Sequence, residues 1–446
     1  MKLLKIKDVF IILTIIPIGL NFALPFHDIL SYHGLFLQNI MALLWFVFFI
    51  VKYLTKPVPK IPNIVKNFLY LIILLGFLGI LSTAINFGQY EIMGHRVERL
   101  SDFGQAFRIL LLSFYFLLIF YWAYNREPAF ILRWYLIGGI IGGGINVFYS
   151  FLYPYKYIGS LPFLYKQNGG GGFLGMTLLL CAWLWIIRER KNKIDFYVST
   201  IGSLICIICV CMSFSKTAMI IGSIGVLGWG LIFIFSKKSI FLKNNKIIFF
   251  IMTFLVILIF YYSIQKINFF DDVHHAIDLK FTNLNLEESN SIRARYYYII
   301  GVGEILLNNP IIGVGYSGFY SNIIKTKPYK DRLMTPEDAD SGMKGLSNPH
   351  NSFTYYASAN GIPGFFTVCF LYIYFVITIF KSFKTYFHFS FSFLITGCFA
   401  LAFFIYGNTL PNLFNSEVLY MPAAIAAAVL LRRRCMKNKF KQSILE

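Results

Sequence analysis

Apolar residues along this chain gather in blocks of roughly 17 to 25, the length a helix needs to cross the hydrocarbon core of a bilayer. The blocks occupy residues 8–25, 33–53, 66–87, 108–124, 129–153, 171–187, 195–213, 217–236, 247–264, 361–380, 389–408 and 417–431. This pattern predicts an all-α polytopic membrane protein of about twelve transmembrane helices. Most of the polar connections between blocks are short. Residues 265–360 are the exception, a long polar stretch between the ninth and tenth blocks, expected to be a large external loop with short helices in it. The expected organisation is a nine-span region over 1–264, a loop carrying the functional elements over 265–360, and a three-span region with a basic tail over 361–446.

The first block follows Met1, Lys2, Lys5 and Lys7, in the manner of a signal peptide. It lacks a small-residue cleavage site and many more spans follow it, so it reads as an uncleaved first helix. Composition agrees: 57% of the residues are hydrophobic and 13% charged, far from the balance of a soluble globular protein.

Charge supplies the orientation. With the N-terminus in the cytoplasm, the inner connections hold Lys52, Lys56, Lys60, Lys66, Arg126, Arg133, Arg188, Arg190, Lys191, Lys193, Lys237, Lys238, Lys243, Lys246, Lys381 and Lys384. The amino-terminal lysines and the tail from Arg432 to Lys441 join them, and this side then carries the whole net charge of +20. Such a positive-inside bias places both termini in the cytoplasm and the long loop across the membrane. The pI of about 9.5 therefore needs no nucleic-acid partner to account for it.

Six of the seven cysteines lie in apolar blocks and the seventh, Cys435, in the basic tail, so no disulfide is expected in an external loop. Cys206 and Cys209 form a C-x-x-C inside an apolar helix and read as small-residue packing rather than redox chemistry. Gly138, Gly139, Gly142 and Gly143 likewise read as a close helix contact.

Candidate chemistry concentrates in the loop and at its flanks. Ser289, Asn290 and Ser291 offer N-caps for a helix over about Ile292 to Asn308, which Pro310 and Gly313 stop. Its arginines lie on opposite faces: Arg293 with Tyr297, Ile300 and Glu304, and Arg295 with Ile299, Val302 and Leu306. Either binds lipid phosphates at the interface, or one holds a phosphorylated ligand in its guanidinium fork. Gly313-Val314-Gly315-Tyr316-Ser317-Gly318 has the form of a dinucleotide-binding fingerprint but follows a helix rather than a strand, so it reads as a turn that brings backbone against a helix. Asp338 with Asp340, and Asp271 and Asp272 with His274 and His275, invite a metal reading; both sit in solvated loop sequence and are taken as charged surface. No metal and no cofactor are expected.

Asn348-Pro349-His350-Asn351 stands directly before an apolar helix containing Gly361-Ile362-Pro363-Gly364. An imidazole just above a membrane surface suits proton abstraction from a hydroxyl near neutral pH, although a lone interfacial histidine also serves as a cap or anchor. Between the seventh and eighth blocks, Ser215, Lys216 and Thr217 present phosphate-binding groups at a helix N-terminus, with snorkelling as the plainer role of the lysine.

Taken together, these residues resemble the O-antigen ligase and polymerase superfamily of bacterial envelope glycan assembly. That pattern is Ser-Arg/Lys-Thr before a span, an arginine ahead of Pro-x-x-Gly-x-Gly, then His-Asn and Gly-x-x-Gly. In this chain it reads Ser215-Lys216-Thr217, then Arg295 before Pro310-Ile311-Ile312-Gly313-Val314-Gly315, then His350-Asn351 before Gly361-Ile362-Pro363-Gly364. Lys216 departs from the commoner arginine and keeps the charge without the fork.

The resemblance implies a GT-C-like architecture and metal-independent, inverting glycosyl transfer on the periplasmic face of the bacterial inner membrane. The implied partners are a glycan on undecaprenyl pyrophosphate as donor, lipid A-core or another glycan as acceptor, and membrane lipids. His350 and Arg295 are the expected catalytic residues. Lys216, Ser215, Arg293, Asn351 and Arg108 are expected to bind substrate. A ligase is preferred, with a repeat-unit polymerase as the alternative and a protein O-oligosaccharyltransferase behind both. A flippase or transporter fits less well, because the spans show neither repeats nor charged, broken helices at midplane.

Overall fold

The computed structural model describes residues 6–23, 31–32, 35–36, 44, 47, 61–88, 91–92, 95–96, 100–152, 167–188, 192–212, 216–235, 290–331, 351–408, 413–414 and 416–445. Ten of the expected apolar blocks fall on helices: α1 (Ile6–Ala23), α2 (Asn63–Ile85), α3 (Leu100–Asn125), α4 (Pro128–Leu152), α5 (Gln167–Ile187), α6 (Lys193–Met212), α7 (Lys216–Phe235), α11 (Ser352–Phe383), α12 (Phe389–Gly407) and α13 (Glu417–Leu445). The blocks at 33–53 and 247–264 lie outside the described residues, apart from helical Leu44 and Val47. Six of the described helices are long and apolar enough to cross a membrane. The expected loop contributes α8 (Asn290–Asn308), α9 (Gly318–Ile323) and α10 (Lys327–Lys330). Two short antiparallel ladders complete the described elements, β1 (Ser31–Tyr32) with β2 (Leu35–Phe36) and β3 (Glu91–Ile92) with β4 (His95–Arg96).

Small residues set the helix contacts. A Cβ on Gly19 of α1 would strike the carbonyl of Tyr135 in α4, and one on Gly138 would strike that of Ile16, so the two backbones touch. A Cβ on Gly225 of α7 would lie 2.9 Å from the carbonyl oxygen of Gly175 in α5. Cys206 and Cys209 are buried free thiols, and Cys209 donates to the Gly143 carbonyl at 3.2 Å. Outside this core, Tyr70, Phe77, Ile201, Leu227, Phe366, Phe370 and Phe393 are exposed around the bundle, a surface suited to lipid.

The two ends of the bundle differ. At one end basic side chains close the helices. Arg126 pairs with Asp8 at 2.8 Å and Arg133 with Asp195 at 2.9 Å. Arg432 donates to the carbonyls of Tyr124 and Arg126, satisfying the last turn of α3. At the other end two helices overrun their apolar blocks. α3 begins at Leu100 rather than 108, and α11 at Ser352 rather than 361. Their added turns contain Asp102 and Gln105, or Ser352, Tyr355, Ser358 and Asn360. Polarity hid these turns from a hydropathy pattern, yet Asp102, Ser352, Ser358 and Asn360 are all buried. Asp102 and Ser358 bond to the loop, and Ser352 accepts from Leu413 N between α12 and α13.

Candidate active site

The local chemistry starts from Pro363. Without an N–H, it leaves the carbonyl of Ala359 unpaired in α11. Gly361 adopts φ +68° and ψ −164°, which turns the Ile362 N–H away from the Ser358 carbonyl as well. Two buried acceptors are thereby exposed by one broken turn, and each needs a donor. The loop after α8 supplies them. Val314 N donates to Ser358 O at 2.8 Å and Gly315 N to Ala359 O at 3.0 Å. In return Ile362 N donates to Pro310 O at 2.8 Å, and Ser82 of α2 adds its hydroxyl to Ala359 O at 2.5 Å. The Pro-x-x-Gly-x-Gly segment thus stands in for the missing helical turn.

Glycine is required on both sides. Gly313 has φ +71°, and a Cβ there would lie 2.5 Å from Gly361 N and from Ser358 O. A Cβ on Gly361 would lie 2.6 Å from Pro310 O. The G-x-G-x-x-G is therefore the expected turn that lays backbone against a helix.

The same loop is fixed from a third direction. Ser317 donates its N–H to Asp102 Oδ2 at 3.0 Å and its hydroxyl to Oδ1 at 2.5 Å, with the carboxylate fully buried in the first turns of α3. Tyr316 stacks on Tyr355 with ring centroids 5.8 Å apart, and Tyr355 donates to Gln105 Oε1 at 2.7 Å. Burial holds the Tyr316 phenol well above its ordinary pKa, opposed by the neighbouring Asn360 amide and reinforced by the Asp102 charge. It is a packed anchor and stays neutral.

Helix α8 is tied to this assembly by a small core of Tyr298, Val302, Ile305, Val314, Phe319, Ile323 and Ala357. Its packed stripe runs through Tyr298, Val302 and Ile305. Arg295 lies one turn before Tyr298 and two before Val302, beside that stripe. Arg293 lies in register with Tyr297 and Ile300, partly or fully exposed positions. The side chains of both arginines lie outside the described residues.

Asn351 caps α11. Its Oδ1 accepts from Phe353 N at 2.8 Å and Thr354 N at 3.2 Å, while its Nδ2 donates to Asn408 Oδ1 at 2.6 Å. Asn408 is itself the C-cap of α12, so one amide pair joins the start of α11 to the end of its neighbour. His350 is the preceding residue and lies outside the described residues, as does Ser215. Lys216 is the first residue of α7, at the helix N-terminus expected for it, with its side chain outside the described residues. Arg108 of α3 approaches Glu417, the first residue of α13, with 3.9 Å between Nη2 and Oε2. The described structure thus gathers α8, the glycine loop, Asn351 and Arg108 at one end of the bundle.

Residues 201–369 match the family model of O-antigen ligases. The resemblance to the O-antigen ligase and polymerase superfamily, read from short motifs, thus extends over a continuous segment. The matched segment includes Ser215, Lys216, Arg293, Arg295, His350 and Asn351, and ends within α11 beyond Gly364. Arg108 and Glu417 lie on either side of it. No curated protein matches the chain. With its apolar helices, the ligase match identifies a multi-pass membrane protein.

Several residues of this end escaped the sequence reading. Gln105, Asn408 and Ser82 lie in or beside apolar blocks, where each reads as an isolated polar residue, whereas Asp102 belongs to the polar segment 88–107 that the sequence allows to fold under the loop, and it does bind Ser317 there. The one available signal was Glu417, an acid opening an apolar span. Among the described residues no three His, Cys, Asp or Glu side chains gather to hold a metal ion; Asp271, Asp272, His274, His275, Asp338 and Asp340 lie outside them.

Proposed function

We propose that the protein is a membrane glycosyltransferase of about twelve spans that moves a glycan from undecaprenyl pyrophosphate to a hydroxyl acceptor. The preferred reaction is ligation of O-antigen polysaccharide to lipid A-core. One observation carries the reading: the glycine motifs after Arg295 and after His350 dock on each other through backbone hydrogen bonds, so residues distant in sequence are held at one end of the bundle.

In this reading, the basic end faces the cytoplasm, as a positive-inside bias requires, and the glycine-loop end faces the periplasm. The donor enters laterally from the outer leaflet. His350 removes the proton of the acceptor hydroxyl, whose oxygen forms a bond to the anomeric carbon as the carbon–oxygen bond to pyrophosphate breaks, with inversion. Pyrophosphate is already a good leaving group, so the step needs cations to hold its charge more than it needs a general acid or a metal. Arg295 and Lys216 supply them, with Ser215, Arg293 and Arg108 at the edges of the donor site. Asn351 orients the residue before it through the cap it forms.

A repeat-unit polymerase shares these motifs and is the second reading. The full His-Asn to Gly-x-x-Gly spacing favours the ligase. Lipopolysaccharide from a deletion strain separates them. Bare core with polymer stranded on the lipid carrier is expected; core capped by one repeat unit identifies the polymerase, and an unchanged ladder refutes both.

A further inference from the structure

Glu417 is an acid where acids are least expected. It opens α13, is 3% exposed, and sits among apolar residues and tyrosines at the end of the bundle that holds the glycine loop. A carboxylate inside a membrane bundle is costly unless a cation answers it, which makes it a mark of function. The cation here is Arg108, with 3.9 Å between Nη2 and Oε2. Tyr115 and Tyr135 lie within electrostatic reach of the same carboxylate, and the buried Tyr135 hydroxyl has no hydrogen-bond partner among the described residues.

The two charges differ in their surroundings. Arg108 remains 25% exposed beside its buried partner. A guanidinium carries five N–H donors in a planar fork, so the exposed part of one that is paired on its buried side can meet a second anion. Arg108 also lies within electrostatic reach of Tyr356, in the half of α11 that Asn351 caps and His350 precedes. One turn earlier on α3, Gln105 accepts from Tyr355 of that same half-helix.

We infer that Glu417 is a positioning residue: it holds the Arg108 guanidinium at the mouth of the site so that its accessible edge receives the diphosphate of the lipid-linked donor. The inference rests on the functional reading above. Glu417 touches no substrate. It acts by fixing a flexible cation in advance, which lowers the ordering cost of binding the anion.

The test uses full-length protein in lipid nanodiscs, with a polyprenyl-diphosphate-linked glycan as donor and lipid A-core as acceptor. Glu417→Gln is nearly isosteric and removes the charge. It is expected to raise donor KM about tenfold, the scale of one charge-assisted contact, while acceptor KM and kcat change less than about twofold. Glu417→Asp is expected to recover part of the loss. The double variant Arg108→Gln/Glu417→Gln leaves no buried charge unpaired and keeps the test open if the single variant folds poorly. Its donor KM is expected to equal that of Arg108→Gln alone, because the two residues act as one unit. Unchanged donor KM in Glu417→Gln, equal effects on donor and acceptor, or additive losses in the double variant overturn the positioning role while leaving the glycosyltransferase intact. A wild-type protein that transfers nothing from this donor overturns the functional reading, and the positioning role with it.

Discussion

Gly313 and Gly361 meet backbone to backbone, each in a left-handed conformation and each occupying the space where the other's neighbours would meet a Cβ. Between them, the hydrogen bonds lost at a broken turn of α11 are restored by a loop some fifty residues earlier in the chain. Two short motifs that look independent in the sequence are halves of one joint.

Alanine at either glycine is therefore expected to destabilise the protein by roughly 2 to 4 kcal/mol, combining the strain of a left-handed residue with overpacking against backbone. Thermal unfolding of the purified protein in detergent checks this, with Gly303→Ala as the control, since a Cβ there meets no atom within 4 Å. A glycine-motif variant as stable as the control contradicts the joint.

Asn351 combines a cap with an inter-helix bond, and substitutions separate the two. Asn351→Ser retains a capping oxygen and is expected to cost less than Asn351→Ala, whose loss should be about 1 kcal/mol from the cap alone. If Asn351 serves transfer by orienting His350, activity across the series follows stability. If it binds sugar, Asn351→Ser is as inactive as alanine while losing less stability than alanine does.

The two arginines of α8 make opposite predictions. Arg295→Ala and His350→Ala are each expected to abolish glycan transfer in a complemented deletion strain while membrane insertion is retained. Arg293, in register with the more exposed positions of the helix, is expected to tolerate alanine with a loss of less than about threefold, the scale of an exposed charge. A normal polysaccharide ladder from Arg295→Ala removes that residue from the mechanism.

Asp102 holds the loop by accepting twice from Ser317. Asp102→Ala leaves a buried N–H and a hydroxyl without partners, and is expected to cost about 2 to 4 kcal/mol for the pair. Ser317→Ala removes only the hydroxyl and leaves the carboxylate the backbone N–H, so its cost should be about 1 to 2 kcal/mol. Chemical denaturation of the two variants in detergent checks the order.

The apolar blocks located ten helices because the period and length of a lipid-facing segment are written into local composition. Helix α8 was equally legible, starting two residues before the expected Ile292 and ending at the expected Asn308, just ahead of Pro310. What stayed hidden was helical structure made of polar residues. Asp102, Ser352, Ser358 and Asn360 are buried by partners far away in the chain, so no local pattern announces the turns that carry them. For the same reason the motif residues were visible while their supports were not. Arg295 and His350 stand in recognisable strings. Asp102, Ser82, Asn408 and Glu417 become meaningful only when the fold brings a loop, a carbonyl, an amide or a guanidinium to them.

Because Val314 and Gly315 complete a turn that belongs to α11, segments 310–315 and 358–362 form a single transplantable module. Chimeras that graft the loop of a relative onto these helices must carry both stretches across together. A graft cut between them pairs one parent's plug with another parent's socket, and its failure says nothing about which sugars either parent prefers.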